Sequence, residues 1–204
     1  MVAPSSKDGH EMTRAEITSP GTLRRRALDA ARTLVDKGGA EALQLRLIAA
    51  EVGSGVASLY YHFANKDALL AAVAVEGWGE LTQKIERARA SGKFPHQIDA
   101  ASAALLTFIR RRPHLYALMQ TEPGLSEHLS VRAAEQRAFE AFQSSLRGDD
   151  RVPPDRIEDV ALVFWVLGRG IASSVHMEAD IAAAERLIQS VLRGFAFLLS
   201  PRRL

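Results

Sequence analysis

Residues 43–70 read LQLRLIAAEVGSGVASLYYHFANKDALL, and the spacing of their apolar side chains decides the fold. Leu45, Ile48, Ala49 and Val52 recur at intervals of three and four, which predicts a short helix over residues 45–52 with one buried stripe. Arg46 and Glu51 fall outside that stripe. Gly53 follows where a left-handed residue costs least, and Ser54 is placed to accept a backbone N–H as the N-cap of a second helix. In that second helix Val56, Leu59 and Tyr60 share one side, leaving Ala57, Ser58 and Tyr61 on another. Two short helices about a glycine turn, the second with a face slim enough for a major groove, read as a helix-turn-helix that contacts DNA. Gly55, at the start of the second helix, is expected to weaken it by up to about 1 kcal/mol relative to alanine.

On the N-terminal side, residues 1–20 hold Pro4, Ser5, Ser6, Gly9, Ser19 and Pro20 without apolar period and are expected to form a flexible arm. A first helix is predicted from residue 21 or 22 to 37, with Ala27, Ala31, Leu34 and Val35 at core spacing and Gly38-Gly39 as its stop. On the C-terminal side, Asn65 is positioned to cap a long helix over 66–90, whose Leu69, Leu70, Val73, Gly77, Leu81 and Ile85 keep a helical period. Residues 91–95 break the pattern. Helices are then predicted over 97–111, 113–121, 126–146, 155–177 and 180–199, with a polar, Pro-containing loop at 147–154. No stretch reads as a strand, so the expected class is all-α, about nine helices. The expected division is an arm at 1–20, a three-helix DNA-binding head at 21–66 and a helical ligand-binding and dimerisation body at 67–204.

A chain of 204 residues with 47% apolar side chains has ample material for a packed core. It has no cysteine, which excludes disulfides and thiolate metal sites. No apolar run approaches about 18 residues and the first twelve residues lack an apolar core, so a cytoplasmic protein without membrane contact is expected. The net charge of +2 is too small to make the whole molecule a polyanion binder, yet its distribution is uneven. Between Thr22 and Lys66 seven basic residues face four acidic ones, 7 − 4 = +3, and Arg24, Arg25 and Arg26 stand together. Beside a helix-turn-helix these arginines are expected to contact phosphate.

The motif residues resemble the N-terminal domain of TetR-family transcriptional regulators. The resemblance rests on Ile48-Ala49, Gly53, Leu59-Tyr60-Tyr61-His62-Phe63 and Asn65-Lys66 in order, with Arg26-Ala27-Leu28-Asp29-Ala30-Ala31 similar to the family's first helix. It covers about residues 22–75. The run Ser54-Gly55-Val56 departs from the Val-Ser and following cation common in the family, which affects the operator sequence and not the ligand class. The body is similar to a TetR C-terminal type with a Trp-x-x-x-His-Gly element, here Trp165-Val166-Leu167-Gly168-Arg169-Gly170, with Arg169 in place of the histidine. The run Arg112-Pro113-His114-Leu115-Tyr116-Ala117-Leu118-Met119 is also similar to that type.

The resemblance implies a repressor released from a palindromic operator in double-stranded DNA by a small molecule. It implies base contacts from Gln44 and Arg46 and from Val56, Ala57, Ser58 and Tyr61, with Ser54 in the same interface. A guanidinium at Arg46 can fork onto guanine for about 1–3 kcal/mol. Tyr60, His62 and Lys66 are expected to hold the DNA backbone, and Phe63 to pack the head. The last two helices are apolar on more than one face, through residues 160–172 and through Ile181, Leu187, Ile188, Val191, Leu192, Phe195, Leu198 and Leu199. This predicts a two-fold homodimer packed through them, with Gly168 and Ala172 allowing close approach. Phe108, Tyr116, Met119, Phe139, Phe142, Trp165 and Arg169 are the candidate lining of an effector pocket, apolar with one cation. No carboxylate-histidine pair at metal-binding helical spacing, no phosphate loop and no nucleophile elbow occurs, so neither an enzyme nor a cofactor is expected. The alternative is a helical small-molecule-binding or adaptor protein without specific DNA binding, which leaves the Leu-Tyr-Tyr-His-Phe box without a purpose.

Overall fold

The computed structural model describes residues 20–121, 124–177 and 181–198. Within them are nine α-helices and three short 3-10 turns, and no strand. The expected arm up to residue 19, the junctions at 122–123 and 178–180 and residues 199–204 with Leu199 lie outside the described residues, as do the side chains of 171–177 and many on the last helix, Ala172, Ile188, Leu192 and Phe195 among them; Pro20, expected in the arm, begins the first helix.

Helix α1 (Pro20–Ala42) buries Ala27, Leu28, Ala31 and Val35. Its regular part ends at the paired glycines, where Gly38 and Gly39 leave helical geometry and Gly39 takes φ +71°. Helix α2 (Leu45–Glu51) sinks Ile48 and Ala49, and α3 (Val56–His62) sinks Leu59. Phe63 follows with 5% of its surface exposed and closes the small core of the head.

The turn between α2 and α3 is a Schellman motif. Gly53 sits at φ +64°, its N–H bonds the Ala50 carbonyl at 3.2 Å, and the Ser54 N–H reaches back to the Ala49 carbonyl at 2.9 Å. The N-cap of α3 is Gly55, not Ser54, with φ −82° and ψ 153° and no side-chain cap. Gly55 therefore lies outside the helical turns, and the interior-glycine cost does not apply; at an N-cap glycine costs only tenths of a kcal/mol against the best capping residues.

Helix α4 (Lys66–Ala90) begins as expected, with the Asn65 carboxamide oxygen accepting the Ala68 N–H at 2.7 Å. It buries Leu69, Leu70, Val73, Gly77, Trp78, Leu81 and Ile85 in one continuous stripe. This helix is the axis of the molecule: α1 packs on it from the head, while α5 (Gln97–Arg111), α6 (Pro113–Thr121) and α7 (Leu129–Gln143) pack on it from the body. At Gly77 an added Cβ would lie 2.6 Å from Met119 Sδ, so glycine permits the close crossing of α4 and α6. At its far end Arg89 donates to the Ala141 and Ser144 carbonyls at 3.1 and 3.2 Å, supplying partners to the C-terminal turn of α7.

The expected helix over 126–146 is shorter than its apolar pattern. A 3-10 turn at Leu125–Glu127 precedes it, the α-helix starts after His128, and a second 3-10 turn, Ser144–Leu146, ends it. Gly124 at φ +83° starts the first turn and Gly148 at φ +78° ends the last, so the backbone leaves α geometry at both ends. Helices α8 (Ile157–Met177) and α9 (Ile181–Leu198) pack on each other and are the last of the described elements.

Candidate DNA interface and effector groove

The head presents one exposed edge. Gln44 stands at the N-cap of α2 with its side chain making no cap bond, and Arg46 follows on the exposed side of the first turn. From α3, Ala57 and Ser58 are exposed, Tyr60 is 52% exposed and Tyr61 83% exposed. His62 meets the Tyr61 ring edge-on at 5.2 Å and is half-buried, as is Lys66 in the first turn of α4. The spacing puts Tyr60 on one side with Val56 and Leu59. It turns outward, because a seven-residue helix has one buried line here, held by Leu59 and Phe63, while Val56 is half-buried against the same core. Ser54 is half-buried within the turn.

The arginine cluster of α1 behaves differently from its sequence reading. Arg25 pairs with Glu76 at 2.7 Å and Asp29 at 2.8 Å, and these carboxylates raise its pKa further, the Asp29 hydrogen bond most. Arg24 lies over the Phe63 ring at 5.2 Å. Arg32 pairs with Glu80. The triplet thus includes a brace from α1 to α4.

The brace continues to the body. Arg112, at the junction of α5 and α6, forks onto Asp36 of α1 and donates to Glu80 Oε2 of α4 at 2.5 Å. Three elements of head and body meet on one guanidinium, an arrangement a lysine cannot make. Sequence reading named Arg112 only inside a motif; its partners are 32 and 76 residues away and leave no local signal.

Of the seven candidate pocket residues, six are apolar or aromatic and occupy neighbouring positions. Phe108 meets Tyr116 at 6.2 Å, Phe139 meets Trp165 at 5.5 Å, and Phe142 meets Trp165 at 5.9 Å between ring centres. Phe108, Tyr116, Met119, Phe142 and Trp165 are buried and Phe139 is half-buried. Burial pushes the Tyr116 phenol well above its ordinary pKa, against a smaller opposing pull from Arg169. Arg169 itself is on the surface and pairs with Glu135 at 3.3 Å. An open groove of about 530 Å³ runs between α7 and α8, and Phe139, Trp165 and Arg169 line it together with Glu135, Leu162 and Val166. The other four candidates lie behind it in the core.

Sequence reading missed Trp78. It stacks on Trp165 at 5.8 Å and 24° and touches Tyr116 at 6.2 Å, joining α4 to this cluster. The stripe Leu70, Ala74, Trp78, Leu81 carries the signal that it is buried; nothing local says what it faces.

Helix α8 has two faces. Ala161, Phe164, Trp165 and Gly168 point inward, while Leu162, Val163, Val166 and Leu167 are between 42% and 57% exposed. Gly168 is on the inward face: an added Cβ would come 3.2 Å from Leu105 Cδ2, so the glycine lets α8 sit close on α5.

These features agree with the comparisons to known proteins. Residues 27–73 match the model for bacterial regulatory proteins of the tetR family, and residues 98–202 match a tetracyclin repressor-like C-terminal domain. The chain is 34% identical over 171 residues to the HTH-type transcriptional repressor KstR of Mycobacterium tuberculosis, covering 78% of each protein. It is 31% identical over 126 residues to KstR of Mycolicibacterium smegmatis, where the match spans 62% of this chain and only 54% of that protein. A Rhodococcus protein of unknown function has the same fold, with a TM-score of 0.68, 24% identity and coverage of 96% of this chain and 100% of that one. No helix among the described residues is long and apolar enough to cross a membrane. A helix-turn-helix head and a helical body matched in order along one chain favour a regulator over the adaptor reading: the protein belongs to the tetR family of bacterial regulatory proteins.

Proposed function

We propose that the protein is a repressor that binds a palindromic operator as a homodimer and leaves it when a small molecule binds the body. The division that goes with this reading is an arm at 1–20, a DNA-binding head at 21–66 and an effector and dimer body at 67–204. The observation that carries the reading is the exposed edge made by Gln44, Arg46, Ala57, Ser58 and Tyr61 on two short helices whose opposite sides are buried. Such an edge, built of small and polar side chains on short helices, suits a major groove, and Arg46 supplies the bidentate donor that reads guanine. Tyr60, His62 and Lys66 flank it as phosphate contacts, with Lys66 in the first turn of α4 where the helix dipole also favours an anion. Val56 and Ser54, being half-buried, contribute less than the resemblance implies.

The outward apolar face of α8 supports the dimer, since four adjacent exposed aliphatic side chains on one helix are what a two-fold four-helix contact covers. Two heads so joined would meet major grooves about 34 Å or somewhat more apart. For the effector, the groove at Phe139, Trp165 and Arg169 is the entrance and the aromatic cluster behind it is the site. Binding releases DNA only to the extent that the ligand prefers the non-DNA conformation, about 1.4 kcal/mol for each tenfold loss of operator affinity.

The test is selection of random duplex DNA by the purified protein, repeated with Arg46→Ala at matched salt. The expected result is a palindrome that the variant binds about 1–3 kcal/mol more weakly, with relaxed preference at one position of each half-site. Absence of any palindrome, with residual binding lost at modest salt, overturns the specific-reader assignment.

A further inference from the structure

We propose that the effector site ends inside the core, where the indole N–H of Trp78 and the carboxamide of Gln120 receive an uncharged carbonyl group of a largely apolar ligand. This rests on the ligand-responsive reading above and specifies its chemistry. Trp78 has no exposed surface, and its Nε1 has no hydrogen-bond partner among the described residues. The side-chain oxygen and nitrogen of Gln120 are both enclosed and equally without a partner. Buried polar atoms are paired in the great majority of folded proteins, so three orphans on two side chains call for a reason. Both side chains flank one ring. Trp78 meets Tyr116 at 6.2 Å between ring centres, and Gln120, one turn along α6, lies close enough to the phenol to pull its pKa down against the larger effect of burial.

The donors and walls select the chemistry. Two neutral N–H donors suit the two lone pairs of one carbonyl oxygen, and the Gln120 oxygen suits a hydroxyl or amide N–H beside it. A charged head is disfavoured at this depth, because the aromatic cluster is neutral and the Arg169–Glu135 ion pair stays at the rim of the groove. Trp165 is the partition: it lines the groove on one side and stacks on Trp78 at 5.8 Å on the other, so turning it outward joins the groove to the orphaned atoms. A ligand held there bridges α4, which follows the reading helix directly in the chain, and α6, which packs on α1 of the head. Occupancy is thereby coupled to the position of the head.

The chain has two tryptophans and both border the site, so intrinsic fluorescence reports it without a label. The experiment titrates wild type, Trp78→Phe and Gln120→Leu with decan-2-one and with decanoate, using calorimetry where the indole is lost, and records the melting temperature of each ligand-free protein. Decan-2-one is expected to bind wild type saturably and to lose about tenfold affinity in each variant, while any decanoate binding is unchanged by them and falls in Arg169→Ala. Ligand-free Gln120→Leu is expected to melt higher than wild type, because it removes two unpaired polar atoms. Equal ketone affinity in all three proteins, absence of saturable ketone binding, or a lower melting temperature of Gln120→Leu overturns the proposal. If the ketone binds all three equally and still releases operator DNA, the ligand-responsive reading survives and only this placement of the carbonyl fails.

Discussion

At the scale of single residues, Gly53 makes the strictest demand on the backbone. It holds φ +64° inside the Schellman turn that sets the angle between α2 and α3, and no atom lies within 4 Å of where a Cβ would stand. The cost of replacing it is therefore conformational and not steric. Gly53→Ala should lower stability by about 1–2 kcal/mol, read as a fall in denaturant midpoint with unchanged slope. A neutral result would mean that the turn relaxes, and the α2–α3 angle would then need another support. Arg46 is the opposite kind of residue, exposed and without effect on folding in this reading, so its alanine variant should lose operator affinity while keeping wild-type melting.

At the scale of elements, two charged clusters tie segments that sequence leaves independent. Arg112 joins α1, α4 and the α5–α6 junction through Asp36 and Glu80, all partly buried. Arg112→Ala should cost about 1–3 kcal/mol, between exposed and fully buried pairs, and Arg112→Lys should recover little because one ammonium cannot span both carboxylates. Amide hydrogen exchange in the first helix should quicken in the alanine variant; unchanged exchange there would sink the idea of a brace. The second cluster closes the loop before α8. The Asp149 carboxylate, 2% exposed, accepts from Arg151 Nε at 2.9 Å, Nη2 at 2.7 Å and the Arg151 backbone N–H at 3.0 Å. The Arg151 hydrogen bonds hold the Asp149 carboxyl below the ordinary carboxylate range. A depressed folded pKa stabilises above the unfolded value, about pH 3.9, and that stability is lost as pH falls through the folded value. Asp149→Asn should therefore be less stable than wild type by about 1–3 kcal/mol at pH 7, with the gap closing below about pH 4. Urea melts across that range decide it, and a gap constant with pH would assign the loss to packing.

At the scale of the whole molecule, the described chain leaves Leu162, Val163, Val166 and Leu167 on one outward face while the opposite face of the same helix is core. A charge placed there should separate the two roles of α8. Val166→Glu is expected to convert the protein to a monomer in sedimentation velocity, with helical circular dichroism retained, and to lower operator affinity more than tenfold through loss of the second half-site. A dimer that persists in this variant would move the interface to another surface.

The helix-turn-helix, its glycine turn, the Asn65 cap and the boundaries of α4, α5 and α6 were legible in the sequence, because each depends on residues within about one helical turn of one another. The tetR identity was legible for the same reason, as its motifs are local. Helix ends set by positive-φ glycines and 3-10 turns were misplaced by two or three residues around α7 and α8, since apolar period continues through turns that the backbone does not. Which arginines brace the head, why Gly168 is small and what Trp78 faces were decided only by tertiary structure. Each depends on a neighbour from another helix, 32 to 87 residues away along the chain, and periodicity fixes which side of a helix is buried without fixing what it is buried against.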